Sequence, residues 1–455
     1  PRESYTLEFK KAENQFDETK LLKYCVALAN EGGGQLILGV SDKPPRQIIG
    51  SKAFQNPDKI AQRILQKLGF RVDIEELQHA EKRVLIFHIP SRPQGTAYDM
   101  EGAYLMRSGE ELVPMSEDKL RQIFDEGKPD WFSQMATTEL ASDDMISLLD
   151  TQTYFDLLKL PYPSDRAGVL ARFEKEKLIR KKGEHWDISN LGAILFAKDL
   201  TEFDGMARKA VRVIVYEGTN KLKTKSDKSV TKGYAVDFEG LLDSIEALIP
   251  KNEIVEIALR EEVKMFPKQA IRELVANAMI HQDFNVSGAS VMVEIYSDRL
   301  EVSNPGRPII STERFIDEYQ SRNETMADLM RRLRICEEKG SGIDKVIAAA
   351  EVFQLPAPDF RADTIRTRVI MYAHKAFEEM DKKDRIRACY QHCCLRYVTN
   401  EKMTNQSLRE RFQLPERKSE AASRIIRETT AVEFIKLEDP SVKSHKFKAY
   451  IPIWA

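Results

Sequence analysis

At residues 266–281 the chain reads FPKQAIRELVANAMIH, a pattern typical of an amphipathic core helix. Pro267 suits a helix start, and apolar residues recur behind it at helical spacing. Glu273, Asn277 and His281 stand four apart, so all three project from roughly one face. A carboxylate and an amide on one face can hold Mg²⁺ and orient a water, as phosphate chemistry requires. A solvated polar stripe is the alternative interpretation.

Two later segments add to this pattern. Residues 303–306 read SNPG, a strand running into a tight turn where a short polar side chain could meet a base edge. Residues 338–346 read EKGSGIDKV, a glycine loop opening a helix whose free N–H groups suit phosphate.

Taken in order, the three segments resemble the GHKL ATPase fold of histidine kinases, gyrase B and Hsp90, and its divergent version in bacterial Schlafen-domain regulators. The resemblance covers residues 207–375 and implies ATP with Mg²⁺ or Mn²⁺ as cofactors. It implies Glu273 as the base that activates water and Asn277 as the Mg²⁺ ligand.

The same resemblance assigns the remaining nucleotide-binding positions. Asn304 and Gly306 match the adenine-reading turn, and the phosphate-binding glycine box matches Gly340, Ser341 and Gly342. Two positions depart from the family pattern: Asn304 replaces an acidic residue, and Pro308 stands where a second glycine is usual.

Acidic residues flank two predicted strands near the N-terminus. Glu3 and Glu8 flank the strand in residues 3–10, ESYTLEFK, and Asp42 ends the strand in residues 35–42, QLILGVSD. If the strands are neighbours, these acids converge with Lys10 at one edge. Three carboxylates that hold a divalent metal, with a lysine that offsets phosphate charge, suit a phosphodiesterase. Ordinary solvent-facing acids are the alternative.

This region resembles the Schlafen AlbA domain across residues 1–125, through the ESxxxEFK segment, ALANEGGG at 27–34 and GVSD at 39–42. In nuclease-active Schlafens the corresponding acids carry RNA cleavage, which implies metal binding and catalysis by Glu3, Glu8 and Asp42. Most bacterial relatives are described as DNA-binding regulators. Asn30 and Gly32–Gly34 are expected to shape the domain instead, because glycines there supply a helix end and positive φ.

The C-terminal segment is basic. Residues 382–455 hold sixteen Lys or Arg and nine Asp or Glu, a net charge of +7. Predicted helices at 385–397, 405–412 and 417–430, followed by a pairing of 433–437 with 446–453, resemble a winged helix. The residues predicted to contact nucleic acid are Arg417, Lys418, Ser423, Arg424 and Arg427 on the third helix and Lys446 on the wing. Protein docking or dimerisation is the alternative role.

We therefore predict an α+β multidomain protein. Its parts are a Schlafen AlbA α/β domain at 1–128, a helical or winged-helix-like connector at 129–206, a GHKL-type α/β sandwich at 207–375 and a winged helix-turn-helix domain at 381–455. Residues 130–203 are predicted to be helical before a hairpin that turns at Lys182-Gly183. The lysine-rich segment 221–232 is predicted to be a solvated loop, with a lid over nucleotide as the alternative.

Composition narrows the classes of function. With 42% hydrophobic and 31% charged residues, the bulk of the 455 residues is expected to fold. The net charge is -2, so attraction for nucleic acid must come from local patches. Five scattered cysteines without C-x-x-C spacing favour a reduced, cytoplasmic compartment, and the absence of a long apolar run argues against a membrane protein. A motor helicase is excluded because G-x-x-x-x-G-K-[ST] is missing.

The leading functional hypothesis is an ATP-binding, nucleotide-gated nucleic-acid-binding protein of the DNA-binding regulator type. The second is an ATP-controlled, metal-dependent nuclease that acts on RNA or DNA as an anti-phage effector. The third is a signalling scaffold in which nucleotide drives dimerisation. A homo-oligomer is expected from the resemblance to GHKL proteins and winged helices.

Overall fold

The structure, a computed structural model, describes residues 4, 6–42, 45–108, 111–127, 130–256, 259–336, 342–442 and 448–455. The chain divides into two units, Pro1–Pro129 and Asp130–Ala455. Helices and strands alternate in both units, which confirms the predicted α+β multidomain class. The finer division into four domains stays a prediction.

The first unit contains β1 Leu7–Lys10, α1 Glu18–Asn30, β2 Gly34–Leu38, α2 Pro57–Leu68, β3 Asp73–His79, β4 Lys82–Ile89, β5 Asp99–Met100, β6 Ala103–Ser108, β7 Glu111–Pro114 and α3 Glu117–Asp125. Its main sheet has the order β1-β2-β4-β3. The two N-terminal strands are neighbours, the condition on which the convergence of their acids depends: β1 and β2 run parallel, with Glu8 opposite Leu36.

The turn between α1 and β2 explains its glycines. A Cβ at Gly34 would lie 2.2 Å from the backbone oxygen of Thr6, so only glycine lets the two chain segments approach this closely. The Asn30 side chain donates to the backbone oxygens of Tyr98 and Leu105 and accepts from the Tyr98 N–H. These contacts agree with the prediction that Asn30 and the glycines shape the domain.

The second unit begins with β8 Met135–Leu140, α4 Ser142–Leu148, α5 Thr151–Leu158, α6 Arg166–Lys175, β9 Ile179–Lys182, β10 His185–Ser189 and α7 Asn190–Phe196. The predicted hairpin is present, with Lys182 opposite His185. The prediction that helices fill the preceding segment was wrong for β8, which pairs with β10 and completes a sheet of order β8-β10-β9. Tertiary pairing decides this strand, because its own sequence shows no clear alternation.

The central part contains β11 Val211–Tyr216, β12 Thr224–Val230, α8 Phe238–Leu248, β13 Lys251–Glu256, β14 Leu259–Lys264, α9 Lys268–His281, β15 Met292–Ile295, β16 Arg299–Pro305, α10 Glu324–Arg332, α11 Gly342–Val352, β17 Asp359–Ala362 and β18 Arg366–Tyr372. A mixed sheet of order β12-β11-β15-β16-β18-β17 forms its base. Apolar side chains of β11, β15 and β16 pack with α8, α9 and α11 in one core.

The lysine-rich segment 221–232 does not form the solvated loop that its sequence predicts. Much of it forms β12, which pairs antiparallel with β11 and sets Lys228 opposite Val213. Because β12 is the outermost strand, its lysines extend into solvent and discourage pairing with other chains. The segment is therefore an edge strand and not a loop.

The C-terminal part contains α12 Lys382–Val398, α13 Asn405–Arg411, α14 Ser419–Ala431, β19 Ile435–Leu437 and β20 Tyr450–Pro452. β19 and β20 pair antiparallel, and the helices share a core that includes Cys389, Cys393 and Cys394. Arg417 and Lys418 were predicted on the third helix but lie in the 3-10 turn Glu416–Lys418 before it.

Candidate functional site

Helix α9 directs three polar side chains into one cavity. Pro267 is its N-cap residue, and apolar residues such as Ile271 and Val275 fix the helix on the core. Glu273, Asn277 and His281 all line a cavity of about 560 Å³. The four-residue spacing therefore brings the carboxylate and the amide together at a pocket.

The end of β16 forms another wall of this cavity. Asn304 is 6% exposed, and its Nδ2 donates to the backbone oxygens of His281 at 3.3 Å and Pro305 at 3.0 Å. Two carbonyl acceptors fix the orientation of the amide, because only the NH₂ group can donate to them. The Oδ1 atom accepts no hydrogen bond from the residues that the structure describes.

Gly306 belongs to the turn that follows. Its φ is 94°, and a Cβ there would lie 2.8 Å from Cβ of Asp283. Its role is to let the chain turn beside the cavity, and Thr367, which lines the cavity, donates through Oγ1 to the Gly306 oxygen at 2.8 Å.

The start of α11 closes the cavity beside α9. A Cβ at Gly342 would lie 2.7 Å from Oε2 of Glu273 and 3.4 Å from Nδ2 of Asn277. The backbone of α11 therefore approaches both side chains as closely as a glycine permits. Gly340 and Ser341, which were also predicted to bind phosphate, lie outside the described residues.

The cavity shifts the pKa values of two side chains that line it, Glu273 and His281. Burial raises the pKa of Glu273, although the cations Lys345 and Arg272 act in the opposite direction. A raised pKa favours proton transfer near neutral pH. Burial and the Arg322 cation lower the pKa of His281 to about 4, so this imidazole is neutral at physiological pH.

Sequence reasoning missed several cavity residues, among them Arg307, Arg331, Cys336 and Thr367. Arg331 lies on α10, pairs with Asp328 and opposes the effect of Glu273 on the pKa of Cys336, which burial raises to about 11. The helical spacing of Asp328 and Arg331 was the available signal, but it shows only a local ion pair.

Residues 321–323, which precede α10, have a structural role in part. Asn323 donates to the backbone oxygens of Ile280 and Gln282, which satisfies the end of α9. Arg322 donates to the Arg307 oxygen at 2.6 Å and lines the cavity.

The N-terminal acids have a different environment from the one predicted. Glu8 is fully buried, and its oxygens lie 2.5 Å from Nη2 of Arg107 and 2.5 Å from Nζ of Lys10. Arg107 is itself buried, and Tyr24 stacks beneath both cations. A metal at Glu8 would have to displace one of these partners.

Asp42 accepts the backbone N–H of Lys11 at 2.7 Å, whereas Glu3 lies outside the described residues. Within the described part of the chain, no group of three His, Cys, Asp or Glu residues is arranged to hold a metal. Metal binding by Glu3, Glu8 and Asp42 therefore stays a prediction.

The predicted nucleic-acid contacts divide into two groups. Arg417, Ser423, Arg424 and Arg427 are exposed, and none of the three arginines has an acidic partner among the described residues. Lys418 pairs with Glu378 at 2.7 Å. Lys446 lies outside the described residues.

In the part of the chain that the structure describes, no helix has the length and apolar character required to cross a bilayer.

Two protein families match the chain. The family described as "Schlafen, AlbA_2" matches residues 3–116. The HATPase_c_4 family, described as "Putative ATP-dependent DNA helicase recG C-terminal", matches residues 288–371, a span that includes Asn304 and Gly342 but begins after Asn277. No curated protein matches the chain.

Two solved structures are similar at low identity. The DIP2311 protein from Corynebacterium diphtheriae is 17% identical, with a TM-score of 0.44 over 98% of this chain and 92% of that one. The N-terminal domain of a "Putative ATP-dependent DNA Helicase RecG-related Protein" from Nitrosomonas europaea is 18% identical, with a TM-score of 0.18 over 24% of this chain and 82% of that one. The assignment rests on the family matches: the chain combines a Schlafen AlbA_2 domain with a domain of the HATPase_c_4 family, as its motifs predicted.

Proposed function

We propose that the chain is an ATP-binding protein that also holds nucleic acid, and that bound nucleotide changes its affinity for nucleic acid. The observation that carries this proposal is the cavity lined by Glu273, Asn277 and Asn304, with α11 beginning beside it at Gly342. The match to a family whose description names an ATP-dependent DNA helicase supports nucleotide use.

The cavity offers a partner for each part of a magnesium nucleotide. The Asn277 amide oxygen would hold Mg²⁺ together with phosphate oxygens, since Mg²⁺ takes few protein ligands in nucleotide sites. The ion would neutralise phosphate charge. Gly342 and Ile343 at the start of α11 line the same cavity, and the free N–H groups of a helix start suit phosphate oxygens. Glu273, with its raised pKa, is the base available for a water.

The orientation of Asn304 favours adenine as the base. Its Nδ2 is committed to two carbonyls, so Oδ1 is the atom left to contact a ligand. An acceptor suits the exocyclic amine of adenine and opposes the O6 acceptor of guanine. The amide can thus replace the acidic residue of the family pattern.

Calorimetry with Mg-ATP tests the proposal. We expect the wild type to bind and Asn277→Ala to bind at least about tenfold more weakly, or roughly 1.4 kcal/mol. Asn285→Ala is the matched control, because Asn285 is exposed and outside the cavity lining. Equal affinity of wild type and Asn277→Ala would remove Asn277 from the site, and equal affinity for ATP and GTP would refute the role of Asn304.

The Schlafen AlbA_2 domain and the exposed arginines of α14 are the parts proposed to hold nucleic acid. Arg424 and Arg427 project from one exposed face of α14 and lack acidic partners among the described residues. Such cations can contact phosphates without losing an ion pair. Nucleotide would act by favouring one arrangement of these parts over another.

A metal-dependent nuclease is the second candidate, supported by the match of residues 3–116 to the Schlafen AlbA_2 family, and it requires a metal to displace Lys10 or Arg107 from Glu8. Labelled RNA and DNA incubated with Mg²⁺ or Mn²⁺, with and without ATP, test it. Cleavage that is lost in Glu8→Gln and kept in Glu13→Gln, an exposed control, would support the nuclease. Absence of cleavage together with nucleotide-dependent binding would favour the regulator. Nucleotide-dependent dimers without any nucleic-acid binding would favour the signalling scaffold.

A further inference from the structure

The small module of residues 135–189 has the architecture of a helix followed by a β-hairpin wing. Helix α6 buries Val169 and Phe173, and the hairpin of β9 and β10 follows it directly. β8 completes the sheet on the other side of β10, so β9 is an edge strand. The hairpin turns at Gly183, whose φ is 62°, and its tip projects into solvent.

Cations concentrate at the end of α6 and along β9. Five of the eight residues from 175 to 182 are basic, and all five are exposed: Lys175, Lys177, Arg180, Lys181 and Lys182, hereafter the basic hairpin. Lys175 and Lys177 have no acidic partner among the described residues. Lys181 lies 5.7 Å from the centre of the Trp186 ring.

The acids near this surface differ in their positions: Glu139 pairs with Lys182 at 3.7 Å, Glu174 and Glu184 are exposed, and two others are turned inward. Glu176 points inward, where it binds Arg332 of α10 at 2.6 Å and accepts from the Tyr154 hydroxyl at 2.9 Å. Asp187 is 1% exposed, accepts the Glu139 N–H and pairs with Arg180 at 3.1 Å. Lys175, Lys177 and Lys181 are exposed and form no ion pair with an acid among the described residues.

Lysines on an outer strand also have a simpler explanation, because they prevent the strand from pairing with other chains. That explanation covers Lys181 and Lys182 on β9. It does not cover Lys175 on α6 or Lys177 in the connection, which belong to no strand edge. Their position beside β9 extends the positive surface from the helix to the hairpin.

We propose that the basic hairpin is a second nucleic-acid-binding surface, which contacts the phosphate backbone of duplex DNA or duplex RNA. The inference rests on the proposed function and adds a site that is separate from α14. A cationic hairpin beside a helix end positions phosphates without reading bases. Binding at this surface is therefore strongly dependent on salt and weakly dependent on sequence.

The test uses the full chain with Lys175, Lys177 and Lys181 all changed to Ala. The Kd for fluorescent duplex DNA and duplex RNA is measured between roughly 50 and 200 mM salt. Each lost phosphate contact lowers the salt slope by about 0.9 on DNA, so the triple variant is expected to lose up to roughly three units. The same three lysines changed to Arg form the matched control, which keeps the charge and is expected to keep the slope. A larger loss on one duplex identifies it as the preferred ligand.

An Arg424→Ala/Arg427→Ala variant separates this inference from the proposed function. If the wild type binds and only that variant weakens binding, the basic hairpin is excluded while nucleic-acid binding through α14 stands. If the wild type binds neither duplex, both the inference and the nucleic-acid part of the proposed function fail. Unchanged slopes with increased aggregation of the lysine-to-alanine variant would identify the cations as protection of the β9 edge. Thermal unfolding verifies that the exposed substitutions leave the fold intact.

Discussion

Replacement of Gly342 by alanine should weaken nucleotide binding without unfolding the protein. The new Cβ would lie 2.7 Å from Oε2 of Glu273, well inside the 3.5–4.0 Å at which carbon contacts are favourable, and 3.4 Å from Nδ2 of Asn277. The Glu273 side chain must rotate, and a rotation of about 30° away from a preferred rotamer costs roughly 0.5–1.5 kcal/mol, whereas the distance to Asn277 is an ordinary van der Waals contact. A cost of about 1 kcal/mol corresponds to a roughly fivefold increase in Kd for Mg-ATP.

The fold should tolerate the same substitution. Gly342 begins α11, and alanine is favoured over glycine within helices by up to about 1 kcal/mol. Calorimetry gives Kd and differential scanning calorimetry gives Tm, with Val352→Ala at the exposed end of α11 as the control. Unchanged affinity for Mg-ATP in Gly342→Ala would refute the argument that this close approach forms the nucleotide site.

Three further predictions concern titration and buried charge. Burial raises the pKa of Glu273 above the ordinary 4.5, so the rate of any ATP hydrolysis should fall as the pH drops through that raised pKa. The Glu273→Gln variant should bind Mg-ATP but show no turnover at any pH. His281 has a pKa of about 4 in the folded state against 6.5 ordinarily, so the unfolded state binds the proton first, and stability should fall as pH drops from 6.5 toward 4. Tm measured across this range should depend less on pH in His281→Gln, and an equal dependence would contradict the burial of the imidazole. Arg107→Ala should lower the free energy of unfolding by about 3–5 kcal/mol, because it leaves Glu8 buried with only Lys10 as its ion-pair partner. Urea denaturation measures this change. The Glu8→Ala/Arg107→Ala variant should lose less free energy of unfolding than the two single variants lose together.

The sequence predicted local elements where periodicity and end signals agreed. The predicted core helix in residues 266–281 matches α9, because Pro267 marks its start and apolar residues recur behind it at helical spacing. The strand pairing of β12 could not be predicted, since its lysines carry no apolar alternation and its pairing with β11 depends on tertiary structure.

Part of the candidate nucleotide site could be predicted from local sequence. Glu273 and Asn277 lie on one helix, so their four-residue spacing places both side chains on the same face. Contacts between residues that are distant in sequence could not be predicted. Arg107 lies 99 residues from Glu8, and nothing in the local pattern of β6 indicates that this arginine points into the core. Similarly, the contact of Arg332 with Glu176 joins residues 156 positions apart.

The affinity for duplex nucleic acid with and without a non-hydrolysable Mg-ATP analogue tests the central claim most directly. If nucleotide gates binding, the Kd of the wild type should change at least about fivefold on addition of nucleotide, and by linkage nucleic acid should change the nucleotide affinity by the same factor. Asn277→Ala should lose the response while it keeps its nucleotide-free affinity. An identical Kd with and without nucleotide, in a protein that calorimetry finds fully occupied, would contradict the account.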